Sequence, residues 1–329
     1  MNMTIKNGLL LACGLGLMGF ATAGLSSAEE PAAAVSSSER PYSGEWFPLF
    51  KSIPDEGKEH VIAPGHITDT LCPKFQMFYP EGWKASDKRP VLVVFPGGGY
   101  GILAIEKEGT KIARWANELG MVAAVVKYRV TDQGSGKFTQ FPGPLRDARQ
   151  ALRIIRRDAA SMGADPAKIG VIGFSAGGHL ASMMATIWDE KLSGETGDGL
   201  DAVPCRPDFA MLIYPVITLE DGVGHAGSRY KLFGSQVAPE VKARYSGDKR
   251  VTDKTPPLFL EQSKDDGVSC KNSELMELAA KAHGVDVTRV LYERGGHGYG
   301  MEIRNQPTDA WPKEAEKWLD SHGWTQRAK

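Results

Sequence analysis

The sequence predicts an α/β protein built on a mostly parallel, doubly wound sheet with helices on both faces, and three observations lead there. From about residue 70 onward, apolar, β-branched runs alternate with stretches of helical period, the order that a parallel sheet with crossover helices requires. Several runs are continuously apolar, as strands covered on both faces are, whereas a half-exposed strand would alternate polar and apolar residues. A hydrophobic share of 42% in 329 residues supplies enough core for this architecture in one domain.

At the amino terminus, Lys6 precedes an apolar, glycine-rich run from Leu9 to about Gly24, followed by Ser26, Ser27 and Ala28 and then by Glu29, Glu30 and Pro31. This layout predicts a signal peptide over 1–28 and export to the periplasm or the medium. The apolar run is shorter than the roughly 20 residues of a bilayer span, so no membrane span is expected. Leu10-Leu11-Ala12-Cys13 is a poor lipoprotein box, because too little apolar sequence precedes Cys13. Ala, Ser, Glu and Pro dominate through Arg40, and 29–60 is expected to be a flexible tether ahead of a single catalytic domain over 61–329.

Within that domain the expected strands are 74–79, 91–95, 122–128, 169–172, 209–214, 258–262 and 287–292. The expected helices, 107–119, 144–162, 176–188, 272–282 and 309–322, lie between or after them. Stretches 194–207 and 220–255 are rich in Gly, Asp, Lys and Ser and fit no element, which makes them candidate substrate loops. No internal repeat, heptad pattern or linker marks off a second module.

The 39 basic and 40 acidic residues nearly cancel, so no strong field exists to attract nucleic acid or an anionic membrane; the expected partner is small or neutral. Cleavage near Ala28 leaves Cys72, Cys205 and Cys270, an odd number. Cys205 precedes one expected strand and Cys270 follows its neighbour, at opposite ends of the sheet, so free thiols are expected.

Chemistry enters where strand 169–172 runs into Gly173-Phe174-Ser175-Ala176-Gly177-Gly178 and a helical pattern begins at once. This is a G-x-S-x-G elbow in its strand-to-helix setting, where the serine sits on a strained turn and flanking glycines permit close packing. With 38 Gly in the chain the motif alone is weak, and its setting discriminates. Strand 91–95 ends in Pro96-Gly97-Gly98-Gly99-Tyr100, a glycine-rich loop fit to supply backbone donors to an oxyanion; Gly98, Gly99 and Ala176 are the expected donors. Gly99-Tyr100-Gly101-Ile102-Leu103-Ala104 also fits a dinucleotide fingerprint, but the next strand ends in Lys127-Tyr128-Arg129 with no carboxylate for a ribose.

His297 lies in Gly295-Gly296-His297-Gly298, directly after the last strand, where it can serve as a base. His60, His66, His225, His283 and His322 have no supporting motif, and His179, four residues past Ser175 on the same helix, reads as a packing residue. Strand 258–262 ends in Ser263-Lys264-Asp265-Asp266-Gly267, which places a carboxylate between serine and histidine in the chain. Ser, Asp, His is the α/β-hydrolase order. Asp265 and Asp266 compete for the acid's role, with Asp266 preferred and Asp265 then an exposed loop residue. Asp147 reads as a charge at a helix start. No H-E-x-x-H, paired-His or Cys-His spacing suggests a metal, and no cofactor is expected.

The run from Asp165 to Leu180 resembles the nucleophile region of bacterial acetylxylan-esterase-like α/β hydrolases, and the similarity continues through Leu212-Ile213-Tyr214-Pro215-Val216, Thr255-Pro256-Pro257 and the loop that ends in Gly300. It covers roughly residues 70 to 324. The resemblance implies the α/β-hydrolase fold, a secreted or periplasmic serine esterase, and substrates that are acetyl, or sometimes feruloyl, esters of polysaccharide fragments. One departure is that relatives often carry Val-Pro after the acid, where this chain has Val268-Ser269-Cys270. Other readings are a feruloyl esterase, a peptidase-like serine hydrolase lacking the usual extra domain, or a catalytically silent carbohydrate-binding or adhesion relic of the fold.

Overall fold

The computed structural model describes residues 40–53, 55, 57–130, 141–192 and 199–327. The expected signal peptide over 1–28, with Cys13, lies outside the described residues, as does the expected tether up to residue 39.

In chain order the strands are β1 (Phe47–Pro48), β2 (His60–Ala63), β3 (His66–Thr68), β4 (Lys74–Phe78), β5 (Arg89–Phe95), β6 (Ile102–Leu103), β7 (Val122–Lys127), β8 (Ala164–Phe174), β9 (Ala210–Ile213), β10 (Leu258–Ser263) and β11 (Val287–Tyr292). The helices are α1 (Lys111–Glu118), α2 (Gly143–Arg157), α3 (Ala176–Thr186), α4 (Ala226–Phe233), α5 (Pro239–Arg244), α6 (Lys271–Ala282) and α7 (Trp311–Ser321). The main sheet has the order β1-β4-β7-β5-β8-β9-β10-β11, parallel from β7 to β11 and antiparallel where β1 and β4 join its edge. Strands β2, β3 and β6 form a small second sheet.

Side chains alternate across β5 and divide the core in two. Val91, Val93 and Phe95 pack with Leu145 and Leu152 of α2, Leu180 of α3 and Met276 of α6. Leu92 and Val94 pack on the other face with Ile112 and Trp115 of α1 and Trp311 and Trp318 of α7. Every residue of β5, β7, β9 and β10 is buried, which is why apolar residues dominate β5, β7 and β9 and the first half of β10.

The seven strands and five helices expected from the sequence are all present. The tether, however, ends earlier than residue 60. Phe47 pairs with Phe75, Leu49 and Phe50 are buried, and the Tyr42 hydroxyl donates to Asp158 at 2.7 Å. The folded body thus begins near residue 41, because the apolar side chains of 47–50 reach a sheet face that composition alone could not reveal. Stretch 220–255 is also more regular than expected, since it holds α4 and α5. Asp147 is no solvated helix-start charge: it is fully buried and paired with the Arg129 guanidinium at 2.7 Å. Cys72 and Cys270 are free thiols, and the Cys205 thiol donates to Trp188 O at 3.3 Å.

Candidate active site

Ser175 stands between β8 and α3 with φ 52° and ψ −116°, a backbone state that L residues adopt only when the surroundings enforce it. The neighbours show what enforces it. A Cβ on Gly177 would lie 2.1 Å from the Phe95 carbonyl, and one on Gly173 would lie 2.1 Å from the Gly177 carbonyl. Only glycine lets the first turn of α3 press so closely on the sheet. Ser175 N–H donates to Ile213 O, and Ser175 O accepts from Val216, which fixes the turn to the neighbouring strand.

His297 and Asp266 meet Ser175 from the ends of β11 and β10. His297 Nε2 lies 2.8 Å from Ser175 Oγ, and His297 Nδ1 lies 2.8 Å from Asp266 Oδ1. The second contact is off the N–H axis, and Nδ1 has no well-aligned hydrogen-bond partner. Such contacts often tighten only with substrate bound. The Asp266 side chain is fully buried; Val268 N–H donates to Oδ1 at 2.7 Å and Gln262 Nε2 donates to Oδ2 at 3.2 Å. Asp265 points elsewhere. Its Oδ1 accepts the N–H groups of Gly295 and Gly296, both at 2.9 Å, and these bonds hold the exposed Asp265 carboxyl below the usual carboxylate range. It thereby ties the acid loop to the histidine loop.

Gly98 and Gly99 line the same cleft as Ser175 and His297, a space of about 450 Å³. Gly98 has φ 137°, and its carbonyl accepts from Gly101 and Ile102 to close the loop. Ala176 is the first residue of α3, where a helix leaves its N–H groups unpaired within the helix. A larger space, about 510 Å³ around Trp188 and Lys249, lies away from all of these residues.

Several participants carried no sequence signal. Glu108 is fully buried beside the cleft: Oε2 accepts Gly97 N–H at 2.8 Å and Oε1 accepts the Tyr214 hydroxyl at 2.9 Å. Burial is the main cause that raises its pKa. Tyr214 accepts Gly300 N–H at 2.8 Å and packs edge-on against His297. Lys107 Nζ donates to Gly298 O at 2.7 Å, and Arg304 donates to His297 O and Gly298 O. The contacts of Glu108 with Tyr214, of Tyr214 with Gly300 and of Lys107 with Gly298 span long stretches of chain, so no local motif announces them. His225, which has no supporting motif, lies at the exposed rim of the cleft and lines it together with His66. His179 is a packing residue: Nε2 donates to Tyr245 O and Nδ1 accepts the Tyr100 hydroxyl, both at 2.8 Å, and burial pushes its pKa down to about 4. Among the described residues no group of three or more His, Cys, Asp or Glu could hold a metal ion, and no helix is long and apolar enough to cross a membrane.

Comparison with known proteins gives this geometry a context. The model of the family described as BD-FAE matches residues 76–279. An acetylxylan esterase of Xylanibacter ruminicola is 30% identical over 275 residues, 82% of this chain and 50% of that protein. Endo-1,4-beta-xylanase B of Butyrivibrio fibrisolvens is 33% identical over 212 residues, 64% of this chain and 32% of that protein. The chain therefore spans half or less of the length of these two relatives. Among solved structures, an acetyl ester-xyloside bifunctional hydrolase from Caldicellulosiruptor lactoaceticus is 34% identical with a TM-score of 0.73, covering 86% of this chain and 98% of that one.

Proposed function

The chain belongs to the BD-FAE family and has the α/β-hydrolase fold, and on that footing we propose that it is a serine carboxylesterase removing small acyl groups, acetyl foremost, from carbohydrate such as xylan fragments. The observation that carries the reading is the line Ser175–His297–Asp266, with 2.8 Å at each junction, opening onto the glycine loop in one cleft.

In this reading His297 Nε2 takes the Ser175 proton as Oγ attacks the ester carbonyl. Asp266 holds the imidazole through Nδ1 and stabilises the imidazolium without itself being protonated. The tetrahedral oxyanion is met by N–H groups of Gly98, Gly99 and Ala176, donors worth about 3 kcal/mol each in such sites. Collapse expels the alcohol, which takes the proton from His297 and leaves an acyl-Ser175. Water activated by the same imidazole then releases the acid.

The carbohydrate assignment is supported by the company the chain keeps: an acetylxylan esterase, a xylanase and an acetyl ester-xyloside hydrolase. Fold and catalytic residues alone would not fix a substrate. Export through 1–28 belongs to the same reading, since it brings the enzyme to polysaccharide fragments outside the cell.

Reaction with a fluorophosphonate probe, followed by peptide mass spectrometry, tests the mechanism. One adduct at Ser175, absent from Ser175→Ala, is expected. An unlabelled wild type, or an adduct on another residue, would overturn the proposal.

A further inference from the structure

Two cleft-lining imidazoles take no part in the chemistry just described, and the structure fixes the hydrogen-bonding sense of each. His225 caps the start of α4, where its Nδ1 lies 3.2 Å from the Ser228 backbone nitrogen and 2.8 Å from Ser228 Oγ. A backbone N–H can only donate, so Nδ1 accepts, and the neutral ring carries its proton on Nε2. Burial first, and the neighbouring His297 second, hold this imidazole below its usual pKa, which favours the neutral form. His66 is the opposite case. Its Nδ1 lies 2.9 Å from Pro64 O, and a carbonyl can only accept, so Nδ1 carries the proton and Nε2 of the neutral ring is an acceptor.

Both rings have firm seats. His66 opens β3, which pairs with β6 immediately after the Gly97–Gly99 turn, and Thr68 Oγ1 donates to Gly101 O at 2.7 Å. Ser228, the partner of His225, borders Gly99: a Cβ there would lie 4.0 Å from Ser228 Oγ. The other polar side chains beside them are already engaged, Lys107 with Gly298 O and Glu108 with Gly97 N–H and the Tyr214 hydroxyl. Among the described residues, neither imidazole Nε2 has a protein partner. The cleft wall thus offers one fixed donor and one fixed acceptor beside Ser175.

We propose that His225 and His66 form the alcohol-side subsite, where the Nε2–H of His225 donates to, and Nε2 of His66 accepts from, hydroxyl groups of a polyhydroxylated alcohol whose ester lies at Ser175. A sugar hydroxyl both donates and accepts, and a ring carrying several of them can satisfy both imidazoles at once. A simple alkyl or phenolic ester satisfies neither. The inference rests on the esterase reading above and deepens it by naming the residues that favour a sugar ester over a small one.

The test compares kcat/KM for an acetylated xylo-oligosaccharide with that for 4-nitrophenyl acetate in the wild type, His66→Phe, His225→Ser and the double variant. Serine at 225 keeps a helix cap while removing the imidazole, so loss of α4 does not confound the result. Loss of one hydrogen bond is expected to lower the sugar-to-phenyl ratio about fivefold to tenfold in each single variant, through KM, with a larger fall in the double variant. A double variant whose ratio stays within about twofold of the wild type overturns the subsite. A wild type that hydrolyses neither ester overturns the underlying esterase reading instead, so the two failures are distinguishable.

Discussion

The buried carboxyl of Glu108 accepts the Tyr214 hydroxyl at 2.9 Å, and through this contact the glycine loop after β5 is joined to the loop that carries His297. Glu108 Oε2 holds Gly97 N–H, and Tyr214 in turn holds Gly300 N–H. The two halves of the cleft therefore share one polar network in the protein interior, where a half-satisfied network costs more than none.

Glu108→Ala should leave buried N–H and O–H donors unpaired, at about 1–3 kcal/mol, and lower kcat by about tenfold to a hundredfold. Glu108→Gln, which keeps an acceptor for one of the two donors, should lose less. Steady-state kinetics on a small acetyl ester check this. Equal kcat for both variants and the wild type would show that the network does not position the loops.

The neighbouring carboxylates should separate cleanly. Asp266→Asn removes the charge that orients His297 and is expected to cut kcat by about 10³- to 10⁴-fold. Asp265→Asn retains an oxygen able to accept from Gly295 and Gly296 and should cost less than about tenfold. Reversed magnitudes would reassign the acid.

Glu261 offers a stability test. It is buried under Tyr299, whose hydroxyl donates to both carboxylate oxygens at 2.7 Å, and burial pushes its pKa up to about 8 from the ordinary 4.5. The folded state therefore holds this proton at pH values where the unfolded chain has released it. Stability from this group is present below about pH 4.5 and is lost as pH rises toward 8, at up to about 1.4 kcal/mol per pH unit. Denaturant unfolding between pH 5 and 8 should show a shallower decline in Glu261→Gln. An unchanged slope would place the titration elsewhere.

Gly97→Ala should be damaging, because the new Cβ would lie 2.6 Å from Glu108 Oε2, 2.7 Å from Phe174 O and 2.9 Å from Ser175 Cβ. A loss of about 1–3 kcal/mol, with reduced activity, is expected. Unfolding midpoints measured beside Gly267→Ala, whose Cβ would meet nothing within 4 Å, supply the contrast.

What could be read from the sequence divides along the reach of each signal. Ser175 and His297 stand in short glycine-rich turns after apolar strands, and their order with Asp266 along the chain is itself informative. The apolar runs of β5, β7 and β9 announced strands covered on both sides, as the two cores around β5 show. Glu108 carried no such mark: 106 residues separate it from Tyr214, and a glutamate in an apparent helix reads as a surface charge. A π-turn over Glu106–Thr110 is what aims it inward. Helices α4 and α5 are short, and their sequences hold little apolar period, so only packing reveals them. His225 was illegible for the same reason, since its role depends on where α4 begins.

The most direct test of the central claim is acetate release from acetylated xylan and from a small acetyl ester by the wild type and by Ser175→Ala. Release from both substrates by the wild type, with a loss of at least about 10³-fold in the variant, is the predicted result. Release that persists in Ser175→Ala, or a wild type inert toward both esters, would contradict the assignment of Ser175 as the nucleophile of a carbohydrate esterase.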